Sequence, residues 1–281
     1  MAVITAAANS DNSSDVNFRA WATQISNAMA LAWIQTSDTG QINLTTTTRS
    51  GSAGTPSGYQ IWRMNDSLQS TTPCYLKLEY GTGSAGSTAG VWISVGTGTD
   101  GAGTLTGSSG IRFNQSCNSS GACTFRCSID TNRVAMYLWY QQANSQCLFC
   151  IERTHNISGA DTSNGIMCFI SGYSGASSWV IIPGVTTTSF PIWNATLPSN
   201  VTSSAWANNI FTYPVRAWGQ GETSPSNQLC MYFVSDITAL NPIPLTTWEG
   251  VSRTMLPTGA VGTIAGFGPV LAQQGVAMRW E

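Results

Sequence analysis

Beyond Gln41 the chain is built from short apolar runs that are cut off before a helix could complete its turns. "GYQIWRMND", "CYLKLEYG", "GVWISVG", "RVAMYLWYQ", "QCLFCIER", "GIMCFIS", "SWVIIPG" and "LCMYFVS" are rich in β-branched and aromatic residues. Clusters of Gly, Ser, Asn, Asp and Pro bound each of them. Runs of this length without a 3.6-residue period are strands, and their punctuation is that of turns. The expected fold class is therefore mainly β, a β-sandwich or barrel-like body. No internal repeat is present, which argues against a β-helix, a propeller or a shaft of repeated triads.

One segment has the other period. In "VNFRAWATQISNAMALAWIQT", Phe18, Trp21, Ile25, Met29 and Trp33 recur at spacings of three and four, which lines them along one helical face. Ala20, Ala22, Ala28, Ala30 and Ala32 add helix propensity. The pattern predicts an N-terminal amphipathic α-helix over 15–36 as the first ordered element, capped by Ser14 or Asp15. "SDTGQ" ends it, with Gly40 as C-cap or turn residue. An aromatic stripe of this size docks on the body of its own subunit or else on a neighbouring one, which makes it the candidate assembly helix.

Charge is scarce enough to restrict function. Asp, Glu, Lys and Arg make up 9% of the 281 residues, well below the roughly 25% of an ordinary globular chain. A surface so neutral suits a part held against other subunits. The basic residues are scattered, so nothing would neutralise a row of phosphates, and no nucleic-acid partner is expected. "MAVITAAANSDNSSD" has neither a positive leader nor a long apolar core, so it is not read as a signal peptide. The apolar runs are too short for membrane insertion. The Asn-x-Ser/Thr sequons at Asn43, Asn118, Asn156, Asn194 and Asn200 are chance products of a Ser/Thr-rich chain.

Several patterns invite a chemical reading. Gly96, Gly98 and Gly101 match G-x-G-x-x-G, but "AGTLTGSSG" follows where a dinucleotide site needs a helix to begin. Asp100 lies in a glycine–aspartate turn without the stacked repeats that build calcium sites. Cys123, Cys127, Cys147 and Cys150 form a four-thiolate set in principle. In an extended "QCLFCIE", however, Cys147 and Cys150 point to opposite faces, and no helix N-terminus supports a redox pair. A local disulfide joining Cys117 to Cys123 or Cys127 is the alternative, while Cys74, Cys168 and Cys230 read as small buried hydrophobes. His155 is the single histidine and no G-x-S-x-G elbow occurs. It is expected on a solvated polar turn, just past Glu152 and Arg153 where a strand emerges. Asp66, Glu79, Asp130, Glu152 and Asp161 supply carboxylates for glycan cleavage, but nothing in the sequence pairs them. Trp92, Trp139 and Trp179 read as core. No catalytic residue, cofactor or metal is assigned.

Taken in order, "FRAWATQISNAMALAWIQTSDTGQI", "GYQIWRMNDSLQSTTPCYLKLEYGTGS", "VWISVGTGTDGAGTLTG", "CIERTHNISGADTSNGIM" and the terminal "VAMRWE" are similar to one group of proteins. They resemble virion structural proteins of tailed bacteriophages, the tail, baseplate and fibre-associated group. The order of the blocks carries the resemblance, which covers the first hundred or so residues best; the cysteine-rich 117–127 lies outside it. It implies a non-enzymatic part of the virion, assembled in the host cytoplasm. Its partners would be copies of itself, other virion proteins and, as a further candidate, a host surface glycan. Trp62, Arg63, Glu152 and Arg153 fall in these blocks and are expected to be structural. Cysteines would be able to pair after lysis, in an oxidising medium. A capsid-decorating or head-fibre protein and a glycan-degrading tailspike are the alternatives. Residues 1–104 are read as an anchoring and assembly region and 105–281 as the β-rich body. The glycine-rich 96–110 is either the seam between them or a long surface loop of one domain. The C-terminal "VLAQQGVAMRWE" either closes a sheet or reaches a neighbour.

Overall fold

The computed structural model describes residues 1–84, 86–108, 112–116, 121–140, 146–155, 160–172, 175–181, 211–219, 222–233, 241–246, 252–257 and 274–281. The chain opens with strand β1 (Ala2–Asn9) and helix α1 (Asp15–Ala30). Then come β2 (Ile34–Gln35), β3 (Pro56–Arg63), a 3-10 turn (Ser67–Ser70), β4 (Tyr75–Thr82) and β5 (Ala89–Gly96). The short β6 (Gly98–Thr99) and β7 (Leu105–Thr106) pair as a ribbon, followed by β8 (Phe113–Ser116). A meander follows: β9 (Ala122–Asp130), β10 (Arg133–Tyr140), β11 (Gln146–His155), β12 (Asp161–Gly172) and β13 (Gly175–Ile181). The last strands are β14 (Phe211–Gly219), β15 (Glu222–Phe233), β16 (Ile243–Thr246), β17 (Ser252–Pro257) and β18 (Gln274–Arg279). The mainly β expectation with a single N-terminal helix holds among the described residues.

These strands make three main antiparallel sheets. An N-terminal sheet runs β2-β3-β4-β5-β8, a central sheet β1-β9-β10-β11-β12-β13, and a C-terminal sheet β14-β15-β18-β17-β16. One face of the central sheet packs Phe125, Cys127, Val134, Met136, Phe149 and Ile151 into a core shared with Leu76, Leu78, Val91 and Ile93 of the N-terminal sheet. The opposite face is buried as well, at Ala135, Tyr137, Leu148, Cys150 and Phe169, and there β11 packs against β15. A sheet covered on both faces needs apolar residues at every position. That is why "RVAMYLWY" and "QCLFCI" are continuous runs rather than alternating ones.

The helix starts as its cap predicts and stops early. Ser14 is extended (φ −140°, ψ 156°), and its hydroxyl accepts the Asn17 N–H at 3.2 Å. The expectation of a helix to residue 36 is corrected: it ends at Ala30, because Ile34 and Gln35 pair with Arg63 and Trp62 as β2. Trp33 therefore sits beyond the helix, its indole N–H donating to the Asp130 carbonyl at 3.0 Å. Gly40 is a turn residue at φ +78°. The helix is also not the first element, since β1 precedes it and pairs with β9 over its whole length. Phe18, Trp21, Ile25, Met29 and Trp33 are all buried in their own chain, so of the stripe's two destinations the structure shows the subunit's own core.

Pairings run across residue 104, with β1 joining β9 and β8 joining β5. Sequence "VAMRWE" enters β18, which lies between β15 and β17.

Candidate functional site

The densest chemistry in the sequence, "CIERTH", falls on β11 in the middle of the central sheet. Strand alternation sends Phe149, Ile151 and Arg153 to the face shared with the N-terminal sheet and Leu148, Cys150 and Glu152 to the other. Glu152 and Arg153 were expected where the strand emerges and His155 on a solvated turn. The structure corrects this: all three side chains are at most 1% exposed. The strand does not emerge because β10, β12 and the sheets above and below enclose it.

Arg153 is held on its side by an acceptor set drawn from the loop after β3. Its Nε and Nη2 fork onto the two oxygens of Asp66, the latter at 2.7 Å, and Nη1 donates to the Thr72 carbonyl at 2.7 Å. Asp66 stands at the N-cap of the 3-10 turn yet makes no cap bond with its side chain. Its carboxylate is spent on a guanidinium 87 positions away. A bidentate pair of this kind is the strong form of a charged hydrogen bond.

His155 is held on the other side. In a regular strand a residue three positions on from Glu152 faces away from it, but the β11–β12 pairing is irregular between Arg153 and His155. The irregularity places His155 opposite Asp161 and turns its ring towards Glu152. Nε2 lies 2.9 Å from Glu152 Oε2 and Nδ1 lies 3.0 Å from Asp161 Oδ1. The Asn132 amide donates to the other oxygen of Asp161, and the Cys150 thiol lies 3.9 Å from Glu152 Oε1.

Burial alone would lower the affinity of His155 for its proton, but hydrogen bonds and charge from Asp161 and Glu152 outweigh it and raise the pKa to about 9. The same contacts, together with Asn132 and the charge of Arg133, hold Asp161 below its usual value against the effect of burial. Burial pushes the Cys150 thiol well up, and the neighbouring Glu152 adds to it. With its pKa raised in this way His155 is an imidazolium at neutral pH, its two ring nitrogens lying between the carboxylates of Glu152 and Asp161. A base or a metal ligand needs a free lone pair, and this ring offers none. Only Asp161 reaches water, with 29% of its side chain exposed.

The remaining candidates fall elsewhere. Glu79 pairs with Arg112 at 2.6 Å, and Arg112 stacks over Trp92. Asp130 meets Arg133 at 3.3 Å. Asp100 accepts the N–H groups of Ala102 and Thr104 at 2.8 and 2.9 Å, closing its own turn. Gly98 belongs to a β-ribbon, not to a helix start. Cys123 and Cys127 face the core shared with the N-terminal sheet, whereas Cys150 lies on the far side of the central sheet, which separates the four-thiolate set. Cys74 and Cys168 are buried as expected; Cys117 and the side chains of Cys147, Cys230, Trp139 and Trp179 lie outside the described residues.

Sequence reasoning missed Asp66 as the partner of Arg153. A signal was present, since strict alternation from Phe149 and Ile151 puts Arg153 on a core face, and a buried arginine requires a carboxylate. Comparison with known proteins finds no matching protein family, no matching curated protein and no matching solved structure.

Proposed function

We propose that this chain is a non-enzymatic structural protein of a bacteriophage virion, in the tail at the baseplate, tail tip or fibre attachment. One observation carries the non-enzymatic reading. The side chains with the greatest chemical capacity, Glu152, Arg153 and His155, are buried and committed to one another, to Asp66 and to Asp161. Such a cluster ties a loop, two strands and two layers together and offers no reacting group to a substrate. Placement in a tail rests on the order of sequence blocks, and the low charge supports a life against other subunits. Assembly then proceeds through neutral surfaces with copies of itself and other virion proteins, and a host surface glycan is a further candidate partner.

Labelled antibody on intact particles tests the placement. Label at the tail end is the expected result, and label on the head replaces the reading with a capsid-decorating or head-fibre protein. Incubation of purified protein with host envelope polysaccharide tests the other half: release of new reducing ends would make it a tailspike enzyme.

A further inference from the structure

The outer edge of β1 is built for pairing. The Ser10 N–H bonds the Gly121 carbonyl at 2.8 Å, which continues the ladder to β9 and fixes its phase. Positions Ala2, Ile4, Ala6 and Ala8 therefore direct their main-chain groups to β9, and Val3, Thr5 and Ala7 direct theirs away from it. The Ala7 carbonyl confirms this phase, because it accepts the Gln24 side-chain amide of α1 at 2.6 Å. Val3 and Thr5 are the outward positions that follow, and among the described residues β1 is the last strand of the central sheet.

Natural edges are guarded by charge, proline or a bulge. "AVITAAAN" has no charged residue and no proline, and its register with β9 is unbroken from Ala2 to Asn9. Exposed large hydrophobic residues occur on β1 and at the two ends of the neighbouring helix. Among the described residues they are Met1, Val3, Val16 and Leu31, the first two at β1 and the others on or just past α1, which packs against β1.

We propose that this edge, with the outer side of α1, is where a second copy of the chain docks. The two β1 strands pair antiparallel about a two-fold axis at Ile4, so that Val3 of one copy exchanges N–H···O bonds with Thr5 of the other. That register stops short of Ala7, whose carbonyl is already capped. It satisfies the outward groups of Val3 and Thr5 in both copies, brings no like charges together and continues the central sheet through both copies. A strand that offers a donor and an acceptor at each of two symmetric positions complements itself, which is the requirement of an isologous interface. The choice of a second copy as occupant rests on the assembly reading above; the edge geometry does not. The experiment therefore uses purified full-length chain, so a monomer refutes the edge pairing and leaves the particle location to its own label.

Sedimentation of the wild-type chain up to about 100 μM is expected to show a monomer–dimer equilibrium. Thr5→Pro removes an outward N–H without touching the β9 ladder, and is expected to weaken the dimer by roughly tenfold or more with an unchanged circular dichroism spectrum. Amide exchange at Val3 and Thr5 should slow with protein concentration in the wild type, and exchange at Val3 should lose that dependence in Thr5→Pro. Val3→Lys guards the edge with a charge and should give the same shift, and it decides the matter if Thr5→Pro does not fold. A wild-type chain that stays monomeric, or variants that dimerise like it, overturns the proposal.

Discussion

Replacing Arg153 by Met isolates the ion pair on which the enclosure of β11 depends. Methionine keeps much of the length and apolar volume of the arginine stem, so packing changes little while the guanidinium is lost. Asp66 is then left with 12% of its side chain exposed and no cation, and the Thr72 carbonyl loses a charged donor that stood at 2.7 Å. Breaking a buried pair by removing one partner costs roughly 3–5 kcal/mol, and most of that is the stranded charge. Set against a total stability of roughly 5–15 kcal/mol, the variant loses a large fraction of it. Urea unfolding followed by both circular dichroism and tryptophan fluorescence gives the difference and tests whether the transition is two-state. Asp66→Asn in the same background removes the stranded charge, so the double variant is expected to lose less than the sum of the two single losses. A loss below about 1 kcal/mol for Arg153→Met, or strict additivity with Asp66→Asn, would refute the reasoning.

Three further expectations follow from the same geometry. The folded pKa of His155 is raised to about 9 from an ordinary 6.5, so its contribution is fully present below about pH 6.5 and is lost as pH rises through 9. That contribution is at most on the order of 3 kcal/mol, and urea midpoints compared across this window should fall in the wild type and flatten in His155→Gln. Gly81→Ala would put a Cβ 2.3 Å from the Thr55 carbonyl oxygen and 2.5 Å from Pro56 Cα. Backbone has to move there, so a loss of about 1–3 kcal/mol is expected in the same unfolding assay. Cys74, Cys127, Cys150 and Cys168 are buried thiols whose ionisation burial suppresses, so peptide mapping should find them labelled by a thiol reagent only after unfolding.

Local pattern settles much of this molecule independently of its tertiary contacts. The short β-branched runs are strands, and Ser14 caps the helix whose stripe of Phe18, Trp21, Ile25 and Met29 is buried. Alternation along β11 already separated Cys150 from the face of Phe149 and Ile151. These properties depend on neighbours a few residues away, and periodicity reports such neighbours directly. Other features were decided by what lies far off in sequence. Strand β1 owes its place to β9, and Ile34 leaves the helical pattern because Arg63 pairs with it. Glu152 and His155 read as the exit of a strand, yet two further layers and an irregular register with β12 enclose them. The charge on Arg153 is met by Asp66, across 87 positions. Burial and ion pairing depend on which surfaces meet when sheets stack, and sequence distance carries no record of that meeting.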